Sequence, residues 1–387
     1  MTEWKTYRLG DVISIKSGFA YKGEYLGKGD KYLLGMGCVS FNEKFLPSGA
    51  RLYSGDVPSR YFVKAGDIVL ATRQQSDNLP ILGMPAIIPS TYKNTFVGAN
   101  LYAVQNDSDI DNNYLYWLLK TPEYIQHIKS CQTGTTVRMI TKSNIESFEF
   151  KCPNRTERNR ISNFLWSLEN KIENNRRINT NLELQAQALF DKWCESCSKT
   201  ITIKELADNI LDYTPNANSE VVLLNSSDVT QGVFAKLPLV SNVNLKGQFK
   251  KRFQKGDILY SEIRPRNTHY AYCYFDSDRY IASTRLIVLR GKKEKIVSNT
   301  LLYQYLISQN VFEEFTLKTE TRSGTFPQGN YQDLSSIVVP YSDNQREIAG
   351  VLDSIYKRIW HNNTEIETLA TLRDTLLPKL MNGEIQL

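Results

Sequence analysis

Two short stretches carry side chains suited to reading the edges of bases. The run KAGDIVLATRQQ (64–75) ends in Arg73, Gln74 and Gln75. The run QKGDILYSEIRPR (254–266) ends in Arg264 and Arg266, with Asn267 next. A guanidinium can fork onto guanine N7 and O6, and a carboxamide onto adenine N7 and N6, so these residue types suit major-groove readout. Asn78 and His269, in the loops that follow these stretches, are lesser candidates. Further along each half, TGTTVRMITKSNI (133–145) and SGTFPQGNYQDL (323–334) share a Gly-Thr turn. Thr135, Thr136 and Arg138, with Ser323, Thr325 and Gln328, offer hydroxyl, guanidinium and amide groups fit for phosphates or base edges. Any one of these read alone is a solvated loop side chain. Their recurrence in pairs is what points to a nucleic acid. The formal net charge of +6 permits such a partner without requiring one.

Covalent chemistry finds little to work with. Gly-Lys-Gly at 27–29 and Gly-Lys-Lys at 291–293 lack the frame of a phosphate loop, and Gly35-Met36-Gly37 lacks a third glycine. His127, His269 and His361 are scattered, and no G-x-S-x-G elbow is present. Cys194 and Cys197 have C-x-x-C spacing, but no second pair completes a zinc site, so free thiols are expected. The reading is of a binding protein with no catalytic residue, metal ligand or cofactor of its own. The polar start MTEWKTYRLGD and the lack of a long apolar run predict a cytoplasmic chain.

The elements that must position these loops occur twice. RISNFLWSLENKIENN (160–175) and EIAGVLDSIYKRIWHN (347–362) align at an offset of 187 residues. Apolar steps of four and three run through Ile161, Leu165, Leu168, Ile172 and Asn175, continuing to Asn179, Leu182, Ala186 and Leu189. The second copy runs Ile348, Leu352, Ile355, Ile359 and Asn362, continuing to Ile366, Leu369, Arg373, Leu376 and Leu380. That spacing predicts a coiled-coil seam on two helices of roughly 35 residues, each about 50 Å long. Pro153 and Pro340 precede the helices, and Pro378 is expected to end the second. Asn175 and Asn362 are equivalent, and antiparallel packing would bring them to one level as a register-setting pair. Trp166, Tyr356 and Trp360 lie off or beside the seam and suit partner docking. Trp193 fits docking or an end cap equally.

The repeat extends into the globular segments. Gly-Asp before a β-branched run reads as a turn entering a strand in both halves. NNYLYWLLK (112–120) and NTLLYQYLI (299–307) are helical in pattern, and YRLGDVISI (7–15) resembles TIKELADNI (202–210). The fold class is therefore α+β: two similar mixed α/β segments, two long antiparallel coiled-coil helices, and a pseudo-two-fold internal repeat.

The arrangement resembles the specificity subunit of type I restriction–modification systems over nearly the whole chain. The likeness is sharpest in NNRRINTNLELQAQALFDKW (174–193) and TLRDTLLPKLMNGEI (371–385), which look like the ends of that family's two conserved helical regions. The P-x-x-x-x-Q-R-E-I entry (340–348) is also similar, whereas PNRTERNRI carries Arg158 where the second copy has Gln345, read as a neutral stalk difference. The resemblance implies target recognition domains at 1–151 and 196–340, and spacer helices at 152–195 and 341–387. Each domain would read one half of a bipartite, asymmetric double-stranded DNA target. The helices would hold the domains apart and dock two methylation subunits. Those subunits would bring S-adenosylmethionine and the adenine methyltransferase site; restriction subunits would bring ATP, Mg and cleavage. A stand-alone sequence-specific DNA-binding regulator or scaffold is the alternative, and a self-contained methyltransferase a third reading.

Overall fold

The computed structural model describes residues 4–74, 81–245, 247–321 and 327–387. The chain divides into two compact units, Met1–Glu173 with Glu367–Leu387, and Asn174–Ile366. The division cuts both long helices, so each unit holds one globular segment and a piece of each helix.

In the first unit, Ile68–Ala71 is flanked by Leu101–Asn106 and Pro85–Ile87, with Ile13–Ser17 beyond Leu101–Asn106. All four residues of Ile68–Ala71 are buried, as a strand covered on both faces requires. A second sheet has the order Ala50–Tyr53, Leu26–Leu34, Thr95–Val97, Phe62–Val63, and its middle two strands run parallel. Lys5–Arg8 pairs with Glu149–Cys152 where the chain approaches the long helix. Helix Asn112–Leu118 starts because Asp111 accepts from the Asn113 amide at 2.7 Å. Helix Pro122–Cys131 starts with proline in its first turn and Thr121 as cap.

The second unit repeats this order. Ala207–Asn209, Leu286–Gly291, Ile258–Ser261 and Tyr270–Tyr272 form one sheet. Val240–Ser241, Glu220–Leu224, Tyr280–Ser283 and Phe249–Lys251 form the other, again with a parallel middle pair. Lys199–Thr202 pairs with Val338–Tyr341, and Asn299–Ile307 is capped by Ser298. The internal repeat is therefore one of strand order as well as of sequence.

The long helices are Arg155–Glu195 and Arg346–Met381. They pack antiparallel within each unit. In the first, Ile161 and Leu165 join a core with Leu377, Leu380 and Met381. In the second, Ala186 and Phe190 join one with Ile348, Leu352, Tyr356 and Ile359. Leu168, Ile172, Asn175 and Asn362 are also buried, and Ile355 is half-buried.

Three seam expectations need correction. Leu189 is 42% exposed and Phe190 takes the inward position, because Phe190 packs edge-on against Tyr305 at 4.9 Å. Pro378 lies inside the second helix, which runs to Met381 because Leu380 and Met381 are buried. The stop comes at Gly383, whose φ of +80° suits glycine. Asn175 and Asn362 do not pair. Asn362 donates to Asn179 Oδ1 at 2.7 Å, Asn179 to Asn363 Oδ1 at 2.7 Å, and Asn175 to Glu365 Oε2 at 2.7 Å. The two amides sit one helical turn out of level, so each bonds a residue a turn further along.

Candidate nucleic-acid interface

The buried strand Ile68–Ala71 delivers the chain to an exposed edge. Thr72 Oγ1 donates to the Asn100 carbonyl at 2.9 Å, and the short strand Arg73–Gln74 follows. It pairs antiparallel with Arg138–Met139, placing Arg138 opposite Gln74 and Met139 opposite Arg73. The 133–139 turn closes on a Thr133–Met139 bridge. Gly134 has φ +91°, and a Cβ there would lie 2.2 Å from the Val137 carbonyl oxygen, so the turn demands glycine. Two segments about sixty residues apart are thus brought together (~60 residues being far beyond any local turn). Arg73, Thr135 and Thr136 are exposed there, and Arg138 is half-buried.

Gln74 turns inward, against the expectation that it faces a ligand. It is 8% exposed, and its Oε1 accepts from the Leu82 amide at 3.2 Å. Alternation along a strand puts neighbours on opposite faces, so an outward Arg73 sends Gln74 in. Gln75, Asn78, Ser323 and Thr325 lie outside the described residues.

The second unit builds the same place with other side chains. Ile263 bridges to Gln328, the Arg264 amide donates to the Pro327 carbonyl at 2.9 Å, and the Gly329 amide to the Glu262 carbonyl at 2.8 Å. A single 3-10 turn, Pro265–Asn267, then lifts Arg264, Arg266 and Asn267 to the surface. Arg264 and Thr268, at its two ends, both adopt left-handed φ, +46° and +54°. Non-glycine residues in that region cost roughly 1–3 kcal/mol each, and persist where the surroundings over-determine them. Here Asn267 and Thr268 amides close the turn at 2.8 Å, Gln231 bonds the Thr268 carbonyl at 3.0 Å, and Pro265 is buried. His269 serves as an anchor, its Nδ1 lying 2.9 Å from the Val229 carbonyl oxygen.

Arg266 is held by Glu320 through two hydrogen bonds, Nε to Oε1 at 2.5 Å and Nη2 to Oε2 at 2.9 Å. The guanidinium holds the Glu320 carboxyl below the usual carboxylate range. Glu320 escaped the sequence reading because it lies on helix Gln309–Glu320, where one more glutamate on an exposed face carries no signal.

The aromatics expected to dock partners are used within the units. Tyr356 is 3% exposed and donates its hydroxyl to Gln304 Oε1, so it offers nothing to a partner. Trp360 stacks on Tyr272 with centroids 4.3 Å apart, and Trp166 packs on Tyr116 at 5.1 Å and Trp117 at 5.3 Å. Both tryptophans are half-buried. Trp193 sits 6.0 Å from both Phe190 and Tyr305. These rings fasten the helices to their globular segments.

The Arg158 and Gln345 difference is more than a neutral stalk change. Both are buried, and each clasps the segment just ahead of an earlier helix, Asn112–Leu118 in the first unit and Asn299–Ile307 in the second. Arg158 pairs with Asp109 at 2.6 Å and bonds the Pro153 carbonyl at 3.3 Å. Gln345 accepts from the Val297 amide at 3.2 Å and donates to the Lys295 carbonyl at 2.9 Å.

Among the described residues no cluster of metal-binding side chains comes together, and no helix is long and apolar enough to cross a membrane. Burial pushes the Cys194 thiol up to about 12, away from nucleophilic use.

A family model described as "Type I restriction modification DNA specificity domain" matches residues 1–184 and again 198–371. The type I restriction enzyme HindI specificity subunit of Haemophilus influenzae is 36% identical over 163 residues, 42% of this chain and 35% of that one. The MjaIX specificity subunit of Methanocaldococcus jannaschii is 21% identical over an alignment spanning 100% of this chain and 89% of that one. The solved S subunit of a type I restriction–modification system from M. genitalium shares the fold, with a TM-score of 0.62 and 16% identity. That match covers 98% of this chain and 96% of the other.

Proposed function

The chain belongs to the type I restriction–modification DNA specificity family, and we propose on that premise that it reads a bipartite, asymmetric double-stranded DNA target without catalysing a reaction. One observation supports this most: the exit of the same buried strand is paired with the same later turn in both units, yet it carries different side chains. Arg73 and Arg138 stand in one, Arg264, Arg266 and Asn267 in the other. A conserved frame with divergent polar tips is the economy of two readers with separate half-sites. Arginine and asparagine supply base-edge contacts, while Thr135, Thr136 and the turn amides supply phosphate contacts that fix register.

The two long helices act as the spacer between half-sites and dock two methylation subunits, which hold S-adenosylmethionine. Restriction subunits add ATP- and Mg-dependent cleavage, and the complex works in the cytoplasm. Tyr356 is excluded from the docking surface by its burial, which leaves the outer helix faces for that role.

Mapping methylated adenines in cells that express this chain with a methylation subunit tests the reading. Arg73→Ala should change the preference in one half-site only, and Arg264→Ala in the other only. A variant that weakens binding evenly on every sequence marks that arginine as a phosphate clamp. Inserting four residues at matched levels of the paired helices lengthens them by about 6 Å. The gap between half-sites should then grow by roughly one or two base pairs at ~3.4 Å each. Retained activity with an unchanged gap would remove the spacer role.

A further inference from the structure

Arg266 sits on a turn that the fold holds unusually firmly, between two left-handed residues and on a buried proline. Its side chain is 69% exposed, and Glu320, 33% exposed, grips it from one edge. A guanidinium carries five N–H donors in one plane. Glu320 occupies the edge formed by Nε and Nη2. The edge formed by Nη1 and Nη2 keeps its donors pointed away from that clamp. This second edge presents two parallel donors that can fork onto guanine O6 and N7. We infer that Glu320 is a positioning residue that aims Arg266 at a guanine in the half-site read by the second unit, an inference that rests on the DNA-reading function proposed above.

Charge supports the same assignment. A lone arginine on a surface loop is drawn to any phosphate, since backbone attraction is independent of sequence. With a carboxylate on its other edge the pair carries no net charge. Attraction to the phosphate chain is then reduced, and the fixed hydrogen-bond geometry toward a base remains. A rigid turn and a two-point clamp also remove the rotamer freedom that a long side chain loses on binding. Glu320 therefore trades general affinity for discrimination at a single base pair.

The test uses the full chain assembled with methylation subunits, with Glu320→Ala, Glu320→Gln and Arg266→Ala variants, selected against a randomised double-stranded DNA library. Affinity for one selected duplex and one unrelated duplex is then measured across a salt series. The wild type is expected to prefer guanine at one position of the second half-site, and Arg266→Ala to lose that preference. Glu320→Ala should lower the preference about tenfold at that position alone, in keeping with one good bidentate contact. It should also bind the unrelated duplex more tightly, with a log–log salt slope steeper by about 0.9, as one added phosphate contact gives. Glu320→Gln, which keeps an acceptor but loses the charge, should fall between. A Glu320→Ala chain with wild-type base preference overturns the inference and leaves the DNA-reading function standing. So does equal weakening on both duplexes with the slope unchanged. A wild-type chain that enriches no sequence overturns that function, and the positioning role with it.

Discussion

One level of the helix pairing is built in two different ways. In the first unit, Glu169 and Arg373 meet as a buried ion pair, and Arg373 also reaches Asp374 at 2.8 Å. The repeat-equivalent residues in the second unit are Tyr356 for Glu169 and Ala186 for Arg373. There the Tyr356 hydroxyl donates to Gln304 Oε1, and Gln304 Nε2 donates to Gln187 Oε1 at 2.8 Å. Gln304 in turn corresponds to Trp117, which packs on Trp166 in the first unit. Both stand at the same level of the repeat, but their sensitivities differ. Two buried charges lose several kcal/mol of hydration apiece and are compensated mainly by each other. A tyrosine ring is stabilised by apolar burial, and its hydroxyl needs only one neutral partner.

Breaking the ion pair should therefore give the largest effect. Arg373→Ala leaves Glu169 buried and uncompensated, and should destabilise the first unit by about 3–5 kcal/mol in denaturant titration. Removing both charges together, with Glu169→Met and Arg373→Met, should recover most of that loss. If the single variant costs no more than a surface change, the pair does not hold this level. Tyr356→Phe on the other side should cost less, about 1–2 kcal/mol, because it leaves one buried amide oxygen short of a donor.

The polar layer of the second unit comes next. Asn175 Oδ1 and Asn362 Oδ1 are buried without a hydrogen-bond partner. Asn179→Leu with Asn362→Leu removes their mutual bond from both sides and should raise the melting temperature, by about 1–2 kcal/mol of added stability. Register should loosen, seen as new cysteine cross-links between positions a turn apart. A lower melting point would show that the layer contributes stability rather than alignment.

The smallest effect concerns acid. The Glu320 carboxyl is lowered by its hydrogen bonds to Arg266, so its contribution is present above the ordinary glutamate value. That contribution fades as pH falls through the lowered value. Wild type and Glu320→Gln should thus differ slightly in thermal stability at neutral pH and converge in acid, once pH has fallen below the lowered value. Curves that stay apart in acid would mean that something other than charge separates them.

How much of this was legible beforehand follows the range of each interaction. The Gly-Asp strand entries and both long helices lie in local pattern, and the structure contains them. The seam positions Ile161, Leu165, Leu352 and Ile359 are buried for the same reason. Gln74 faces inward because its partner, the Leu82 amide, comes from eight residues further along the chain, outside the reach of strand alternation. Tyr356 and Trp360 were read as surface aromatics, whereas Gln304 and Tyr272, far off in sequence, occupy them. Composition along a helix tells which side chains are large and apolar, not which neighbour arrives to cover them.

By itself, then, the sequence determined that the protein is a duplicated α+β chain with two polar tips that differ from each other and two long amphipathic helices. Those features rest on spacing of residue types over one or two helical turns or strand pairs, where backbone geometry alone sets which side chains share a face. Only the tertiary structure decided that Asn362 meets Asn179, that Glu169 is buried against Arg373, and that Glu320 grips Arg266. Such partners are chosen by how whole elements pack. A shift of one turn exchanges every contact while leaving the apolar pattern almost unchanged.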